Sequence, residues 1–536
     1  MIHDADAIVV GSGPAGVSVA LPLVESGMRL ILLDGGRRRD EGLVPRGAYH
    51  DLRRGDAGQW RLFLGPRLEA LRAAGPPSPK FRAPSSLFAF DGFDDAVAAE
   101  GSRFTLAGSL ARGGFSTIWG AGLGLYDAED LAEFPVTVRD LAPSYRRIAA
   151  RIGVSGFGDD DLATELDAEI AGQPPMRLAE NARRLLSRYA DRRAALHACG
   201  VRLGRPRIAV LTAPLAGRGA CELCDACLWG CAHGSIWSAE PDLAALAEHG
   251  NLDYRPGHLA TRIERVDRGY RVSLSSVDAG GVRREAQLAA PRLVLAAGTL
   301  GTTRLVLDLE RRYDEPVPLR SSPTAAFALC LPERIGEAIA AREFSMAQLS
   351  FTARLGSDRA YGNLFAASGI PGSFLVERMP LTRPGAIRLL RLLQPALLLG
   401  NCFLPGGHSR HSVTLARPPG APRACLVVRD GTDPALAAQF GRLKRSLARA
   451  FRRLGAPMLP RSFTPAEPGS DLRYSGTLPM RRDPGPREVD PTGRLHGHDG
   501  LYVVDLSIFP AMGAKHPTLT LMANADRIGR AIAARG

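Results

Sequence analysis

The chain has 536 residues, of which 45% are hydrophobic and 23% charged, and this composition excludes a disordered protein because ample apolar surface can offset chain entropy. The chain is longer than a single hydrophobic core usually supports, which indicates two domains, or one domain with a large insertion. The formal net charge is +13, but the arginines are scattered and form no lysine-rich run, so nucleic-acid binding is disfavoured. Solvated arginine-rich faces, an acidic redox partner, an anionic substrate or an anionic membrane surface would each account for the charge.

The N-terminus has the pattern of a strand, a tight turn, a helix and a second strand. The apolar run Ala7–Val10 leads into a glycine-rich turn, a helical pattern over residues 15–26 and another apolar run over residues 29–33. This order predicts half of a doubly wound sheet. Because the first run has no basic leader, it is interpreted as a buried strand and not as a secretory signal, and a cytoplasmic location is expected. No run of about 18 apolar residues occurs, so no membrane span is expected.

The rest of the chain alternates between helical and strand-like patterns. In chain order, we expect loops and short helices over 37–100, helices over 138–200, strands over 250–300, an antiparallel sheet within 320–430, a helix over 434–454, a strand over 501–504 and a helix over 519–534. Mixed α/β patterns at both ends and a strand-rich middle indicate one discontinuous domain with a second domain inserted into it.

The turn after the first strand fits the pattern G-x-G-x-x-G. Gly11 permits the tight turn, Gly13 lets the backbone approach a pyrophosphate, and Gly16 lets the helix pack closely on the strand. The N-terminus of the following helix offers free N–H groups to phosphates, and Asp34 at the end of the second strand can bond ribose hydroxyls. The motif therefore predicts a dinucleotide site, and it leaves the choice between FAD and NAD open.

Four blocks of the sequence resemble the glucose–methanol–choline (GMC) oxidoreductases. They are the fingerprint through residues 32–36, a glycine stretch at 113–120, a strand end at 295–299, and the C-terminal block 501–510 with 516–520. The resemblance implies FAD as the cofactor and oxidation of a C–OH group. The cofactor-binding positions that it implies are Gly11, Gly13, Pro14, Ala15, Gly16, Asp34, Gly35, Gly113, Gly114, Ser116, Gly298, Asp505, Pro517 and Thr518.

The expected fold class is α/β, with a discontinuous Rossmann-type FAD-binding domain and a substrate domain that contains a β-sheet. The boundaries that we predict are 1–150 for the first part of the FAD domain, 151–245 for a helical connector with the cysteine cluster, 246–312 for the second part of the FAD domain, 313–465 for the substrate domain and 466–536 for the third part of the FAD domain.

Two residues are predicted to be catalytic. The resemblance implies that His516 is one member of a pair facing the flavin, and a neutral imidazole can accept the hydroxyl proton as hydride leaves carbon. Arg473 stands where the family usually carries a second histidine. An arginine stays protonated and cannot readily be a base, but it can bind an anionic group or stabilise an alkoxide. Three possibilities for the chemistry remain open: His516 acts alone, the reaction departs from that of the family, or Tyr474 takes over part of the role.

Four of the eight cysteines lie within eleven residues, at Cys221, Cys224, Cys227 and Cys231. Their spacing, C-x2-C-x2-C-x3-C, is that of bacterial ferredoxins, although Ala232 replaces the proline that follows there. We predict an iron–sulfur cluster, of the 4Fe–4S type or a three-iron form, with zinc, disulfides or free thiols as alternatives. Some GMC-like dehydrogenases resemble this chain in having a comparable run. Such a cluster would pass flavin electrons to a protein or quinone acceptor and would make the enzyme a dehydrogenase.

The leading hypothesis is therefore an FAD-dependent dehydrogenase acting on an alcohol or a sugar-like polyol, with an acidic protein or a quinone as its electron acceptor. One alternative is a flavin-dependent reductase or isomerase fed through the cluster. Another is a non-catalytic electron-transfer or assembly subunit. The short apolar stretch at residues 388–399 contains arginines and Pro395, and it favours a core or subunit contact over a membrane surface.

Overall fold

The computed structural model of the chain describes most of its length. The described residues are 4–72, 78–101, 103–156, 158, 160–163, 170, 172–277, 280–340, 342–417 and 424–535. Parts of the predicted stretches 138–200 and 320–430 lie outside them. Within the described residues, no helix is long and apolar enough to cross a membrane.

The strands are spread along the whole chain. They are β1 (Ala7–Val10), β2 (Leu30–Leu33), β3 (Ala99–Gly101), β4 (Gly122–Leu123), β5 (Val201–Gly204), β6 (Arg207–Ile208), β7 (Leu252–Arg255), β8 (Leu259–Val266), β9 (Gly269–Val277), β10 (Arg283–Ala290), β11 (Arg292–Leu295), β12 (Pro316–Leu319), β13 (Thr324–Cys330), β14 (Ala347–Leu355), β15 (Asp358–Ala366), β16 (Leu397–Phe403), β17 (His411–Ala416), β18 (Cys425–Arg429), β19 (Thr464–Pro465) and β20 (Leu501–Val503).

The α-helices are likewise distributed along the whole chain. They span Pro14–Glu25, Tyr49–Gly55, Trp60–Leu64, Glu69–Arg72, Pro84–Leu87, Phe93–Val97, Val138–Ile152, Glu180–Asp191, Arg193–His197, Ala239–Ala247, Gly298–Leu309, Gly372–Val376, Arg383–Leu393, Leu436–Arg453 and Thr518–Ala533.

A five-stranded parallel sheet forms the nucleus of the cofactor region. Its order is β20-β11-β1-β2-β7, and neighbouring strands are parallel throughout. The strands β1, β2 and β20 are buried along their whole length, as their continuous apolar runs predict for a sheet covered on both faces. The helices Pro14–Glu25 and Thr518–Ala533 pack so closely that a Cβ on Gly529 would lie 2.6 Å from Pro22. The two ends of the chain therefore complete one sheet.

A six-stranded sheet forms the second large layer, in the order β19-β13-β16-β15-β14-β5 with antiparallel neighbours. Its core side chains pack against the amphipathic helix Leu436–Arg453, whose buried face includes Phe440, Leu443, Leu447 and Phe451. This arrangement agrees with the predicted antiparallel middle of the chain, and the α/β fold class is confirmed. The five domain boundaries remain predictions.

The apolar stretch at residues 388–399 divides between two elements. Its first part belongs to the helix Arg383–Leu393, and its second part forms β16. Leu397 and Leu398 are buried in the sheet, as a core contact requires, but Leu389 and Leu392 on the helix are exposed. The predicted core contact is therefore formed by the strand and by Leu390 of the helix, and a subunit contact of the exposed leucines stays a prediction.

Candidate active site

One cavity of about 2260 Å³ gathers most of the predicted site residues. Its walls include Gly11, Gly13, Pro14, Ala15, Asp34, Gly35, Gly114, Ser116, Gly298, Arg473, Asp505, His516, Pro517 and Thr518. Ligand pockets are commonly about 300–1,000 Å³, so this cavity has room for a dinucleotide and a second molecule. The predicted residues Gly16 and Gly113 do not line it.

The glycine turn has the backbone geometry that its sequence predicts. Gly11 has φ +108°, a conformation that a side chain rarely permits, and the next helix begins at Pro14. A Cβ on Gly16 would collide with the carbonyl of Gly11, so Gly16 permits the close packing of helix and strand. Gly113 donates its N–H to Ser12 Oγ at 2.9 Å and brings the second glycine stretch against the first. The turn therefore offers open backbone and a helix N-terminus to a phosphate.

Asp34 lies buried at the end of β2. Its carboxylate accepts hydrogen bonds from the hydroxyl of Ser12, from Tyr254 Oη at 2.9 Å and from the N–H of Gly36 at 2.8 Å. Burial raises the pKa of Asp34, and these donors oppose the shift. A side chain held in this way has a fixed position at the cavity wall, as a ribose-binding acid needs.

Asp505 lies directly after β20 and is also buried. Its Oδ1 accepts from the N–H of Ser507 at 3.0 Å, and its Oδ2 accepts from Thr302 Oγ1 at 2.5 Å. Burial raises the pKa of this carboxyl group. Gly298, which has φ +74°, would have nothing within 4 Å of an added Cβ and so borders open space. These residues place a second acidic group on the cavity wall, at the end of a neighbouring strand.

His516 and Arg473 are in direct contact. Arg473 Nη2 donates to His516 Nδ1 at 2.6 Å, and its guanidinium lies 4.0 Å from the ring centroid of Phe403. On the other side of the imidazole, Asn363 Nδ2 lies 3.1 Å from His516 Nε2. Both ring nitrogens therefore face hydrogen-bond donors, and a charged imidazolium would have no acceptor for either N–H.

The electrostatics of this pair follow from that geometry. Burial, with a further contribution from Arg473, lowers the pKa of His516 well below its usual value. Burial also lowers the pKa of Arg473, while Asp471 opposes the shift. Arginine nonetheless stays charged in proteins. The pair therefore presents a neutral imidazole and a buried positive charge to the cavity.

The sequence reasoning missed the residues that hold His516 in place. Lys515 is buried, and its Nζ lies 2.8 Å from both Asp127 and Asp130. Gly122 in β4 leaves room for the imidazole, because a Cβ there would lie 2.5 Å from His516 Nε2. A lysine directly before the predicted catalytic histidine was a visible signal, but its acidic partners are almost 400 residues away in sequence.

Two groups beside Arg473 have different surroundings. Asp471 lines the cavity, and burial raises its pKa to about 7 although Arg473 opposes the shift. The hydroxyl of Tyr474 donates to the carbonyl of Thr105 at 2.7 Å and accepts from the N–H of Ala107 at 3.1 Å. Tyr474 is thus occupied by the backbone, and the structure disfavours the catalytic contribution considered for it.

The cysteine run lies beside the same cavity, which Leu228 lines. Burial raises the pKa of Cys221 to about 11 and that of Cys227 to about 12, and neighbouring thiols of the run, Cys224 and Cys231, increase both shifts. All four thiols are free. In the described part of the chain, no group of three or more His, Cys, Asp or Glu side chains is arranged to hold a metal ion. The described geometry therefore supports neither zinc nor the predicted iron–sulfur cluster, which stays a prediction.

A buried lysine and a half-buried arginine border the cysteine run. Lys80 is 8% exposed and donates from Nζ to the carbonyl of Trp119. Burial lowers the pKa of Lys80 to about 8, and the thiols of Cys227 and Cys231 oppose this shift. Arg39 donates to the carbonyl of Thr117, and burial lowers its pKa while Cys231 is among the groups that oppose the shift. Both cations would be stabilised by negative charge on the sulfur atoms.

Comparisons with known proteins agree with the sequence motifs. The family model for GMC oxidoreductases matches residues 442–525, which include Arg473 and His516. The C-terminal region of this chain is therefore that of a GMC oxidoreductase. The chain is 27% identical over 415 residues to 6'''-hydroxyparomomycin C oxidase of Streptomyces lividus, across 75% of this chain and 72% of that protein. It is 25% identical over 429 residues to paromamine 6'-oxidase of Streptomyces fradiae, across 76% and 74% of the two chains.

The fold has a solved counterpart. The crystal structure of pyridoxine 4-oxidase from Mesorbium loti superposes with a TM-score of 0.58 at 16% identity, across 98% of this chain and 99% of that one. At this identity the likeness supports the GMC fold alone. FAD is the cofactor expected for the family, and the open glycine turn with two buried acids on the cavity wall fits a dinucleotide.

Proposed function

We propose that this chain oxidises a C–OH group of a small alcohol or sugar-like polyol with FAD as the hydride acceptor. The observation that carries the proposal is the single cavity in which His516 and Arg473 face the same space as the glycine turn. FAD bound there would accept the hydride that leaves the oxidised carbon. The names of the two curated oxidases, which concern amino-sugar compounds, support a sugar-like substrate class.

The protein groups would act on the hydroxyl of the substrate. His516, neutral at pH 7 because its pKa is lowered, has the protonation state that a proton acceptor requires. The charge of Arg473 would stabilise the oxygen as it loses its proton, and in a water-poor cavity such a donor is worth much more than in water. Since both ring nitrogens now face a donor, the substrate hydroxyl would have to replace Asn363 at Nε2 or Arg473 at Nδ1. The freed nitrogen would then take the hydroxyl proton while the C–H electron pair leaves as hydride.

The test is anaerobic mixing of the FAD-loaded protein with a panel of alcohols and sugars while flavin bleaching is recorded. We expect at least one compound to bleach the flavin, and His516→Ala to slow that step by roughly 10² to 10⁴. His249→Ala, at an exposed position, is the matched control and should react at the wild-type rate. Equal rates for His516→Ala and the wild type would refute the role of His516, and no bleaching by any compound would refute the substrate class.

A second candidate function is reduction of a carbonyl group. The two donors that face His516, Arg473 and Asn363, form an environment that stabilises negative charge on oxygen. Such a site also suits a carbonyl that receives a hydride. Reoxidation of chemically reduced flavin by a ketone or aldehyde, without bleaching by any alcohol, would favour this direction over oxidation.

We also propose that Cys221, Cys224, Cys227 and Cys231 hold an iron–sulfur cluster that passes electrons to an acceptor other than oxygen. The support is electrostatic: the buried thiol of Cys227 and the half-buried thiols of the run lie beside two cations, the buried Lys80 and the half-buried Arg39. A cluster bound by thiolates carries net negative charge and would compensate both cations. Such a group would move electrons one at a time.

Iron and acid-labile sulfide, assayed on anaerobically purified protein, test the cluster directly. We expect about four irons per chain for a cubane, or about three for the smaller form. Cys227→Ser should lose most of the iron, whereas Cys425→Ser, a cysteine outside the run, should retain it. Absence of iron from the wild-type protein after anaerobic purification would refute the cluster and would make oxygen a plausible acceptor.

A further inference from the structure

The helix Arg383–Leu393 and its surroundings expose an unusual number of large apolar side chains. We define the mouth patch as Ile335, Leu381, Ile387, Leu389 and Leu392, all of which are exposed. Ile335 belongs to it because the N–H of the next residue, Gly336, bonds the carbonyl of Leu392 at 2.9 Å. Scattered exposed apolar residues are common, but a group on one helix and its neighbouring loops indicates an interaction surface.

The helix does not need these side chains to pack on the protein. Ala386 and Leu390 are its buried residues, and Leu390 belongs to a small core cluster with Leu397 of β16. Ile387 and Leu392 are exposed together with Arg388 and Arg391 on the side away from that core. Leu389, about 200° around the helix from Ile387, lies at the edge of the cavity. Burial of the helix therefore accounts for one face and leaves the other without a structural role.

The charges around the mouth patch have one sign. Arg383, Arg388 and Arg391 lie on the same helix and are exposed, and no described carboxylate forms an ion pair with any of them. The acidic residues nearest in sequence already have arginine partners: Glu337 lies 2.8 Å from Arg334, and Glu377 lies 3.9 Å from Arg82. The surface is therefore both apolar and positively charged.

The mouth patch also borders the functional cavity. Leu381 and Leu389 line the cavity as well as being exposed, so they stand where the cavity meets the surface. Leu393, Leu375 and Met379 continue the apolar wall inward. Whatever covers the patch would also lie over this entrance to the cavity.

We propose that the mouth patch docks on the surface of an anionic lipid bilayer, with the cavity entrance facing the lipid. An amphipathic helix that mixes leucines with arginines is the kind of element that lies in the plane of a membrane interface. Its arginines would contact acidic headgroups, and its apolar side chains would enter the boundary with the acyl chains. Any acceptor or substrate dissolved in the lipid would then have a direct path to the cavity.

A second copy of the chain is the competing occupant, and the charges argue against it. In a two-fold symmetric dimer the same patch meets itself, so Arg383, Arg388 and Arg391 would approach their own copies. The patch has no free carboxylate to pair with them, and like charges across an interface are unfavourable. A bilayer with acidic lipids supplies the missing negative charge.

Vesicle sedimentation with the full-length holoprotein tests the proposal without any assay of turnover. We expect binding to vesicles that contain phosphatidylglycerol, weak binding to vesicles of phosphatidylcholine alone, and release at high salt. The double variant R388E/R391E should bind at least tenfold more weakly, since an arginine near an anionic surface contributes roughly fivefold in affinity. The double variant I387S/L392S, tested separately, should also bind at least tenfold more weakly, because it removes apolar side chains that would enter the bilayer. Retained flavin and an unchanged unfolding transition would show that both variants are folded.

The matched control is Leu71→Ser, at a position that is 68% exposed and does not line the cavity, and it should bind as the wild type does. Failure of the wild type to bind acidic vesicles would overturn the proposal, as would an equal loss in Leu71→Ser. Sedimentation velocity offers the other decisive outcome: a dimer that I387S/L392S dissociates would assign the patch to a second copy.

Discussion

Two buried lysines lie near the candidate site, and their surroundings differ: Lys80 lines the cavity, and Lys515 directly precedes His516, which lines it. Lys515 is 1% exposed, and its Nζ lies 2.8 Å from Asp127 and 2.8 Å from Asp130. Lys80 is 8% exposed, and among the described residues no carboxylate lies within ion-pair distance of it. A buried charge is costly unless it is paired. The protein therefore compensates one lysine with its own carboxylates and places the other beside thiols.

This difference distinguishes a structural charge from one that would pair with a bound group. The charge of Lys515 is fully paired with its two acidic partners, so these residues can hold the neighbouring His516 in a fixed position. Lys80 adjoins the thiol of Cys227, whose pKa burial raises to about 12, so this sulfur is neutral near pH 7. Only ionised sulfur, as in a metal–thiolate group, would compensate it. We therefore expect substitutions of the two lysines to have different consequences.

The largest effect should come from Lys515→Met. The substitution leaves Asp130, whose side chain is 8% exposed, beside the half-buried Asp127, with Arg359 as the remaining close cation at 2.6 Å from Asp127. Removal of one partner of a buried ion pair costs about 3–5 kcal/mol, and we expect the lower end because Arg359 remains. Urea denaturation of the metal-free protein measures the loss. Lys444→Met, on an exposed helix face, is the control, and a similar loss in both variants would contradict the assignment.

A smaller effect is expected from Lys80 in the metal-free protein, and it depends on pH. Burial lowers the pKa of Lys80 from 10.5 to about 8, so below pH 8 the lysine is charged in both states and its burial cost is fully present. Between pH 8 and 10.5 the folded protein has released this proton while the unfolded chain still binds it, so stability rises with pH. A difference of 2.5 pKa units corresponds to about 3 kcal/mol.

Lys80→Met removes this contribution and leaves the other titrating groups in place. We therefore expect the unfolding free energy of the wild type, measured relative to Lys80→Met, to increase by about 3 kcal/mol between pH 7.5 and pH 10.5. Thiolates of a loaded cluster would compensate the lysine, so iron-loaded protein should show a much smaller increase. Parallel stability curves for the two metal-free proteins would mean that Lys80 is already compensated.

The sequence predicted the parts of this molecule that depend on local pattern. The β1 turn, with Gly11 and Gly16, requires a conformation and a close approach that only glycine provides, so its role could be predicted from spacing. The α/β class followed from buried runs such as β1 and β20. The exposed side of the helix Arg383–Leu393 was harder to predict, because arginines and leucines are interspersed in it. Only the packed structure shows which of them are exposed.

The environment of the candidate site depended on residues far apart in sequence. Asn363 on β15 and Gly122 on β4 contact His516, and neither belongs to a motif that indicates function. The substitution of arginine at position 473 was visible, but its bond to His516 Nδ1 was not. For the same reason the lowered pKa of His516 could not be predicted, since it arises from burial and from that contact.

Gly122→Ala should impair catalysis without removing the flavin. The added Cβ would lie 2.5 Å from His516 Nε2, so the imidazole must move. A displacement of about 1 Å in a catalytic group can cost roughly 100-fold in rate, and we expect that loss in the rate of flavin bleaching. Gly120→Ala is a close control, because a Cβ there has no heavy atom within 4 Å although the residue lines the same cavity. Equal rates in the two variants would show that His516 does not act at this position.

The smallest expected effect is a change in the titration of His516 when Arg473 is neutralised. Burial is the larger cause of the lowered pKa and Arg473 the second, so Arg473→Met should raise the pKa of His516 while leaving it below the usual value. Arg473→Lys keeps the positive charge and should leave the pKa closer to that of the wild type. Isotope-labelled histidine followed by NMR across pH measures both. If Arg473→Met left the titration unchanged, burial alone would account for the neutral imidazole. The contact with Arg473 would then orient His516 without lowering its pKa.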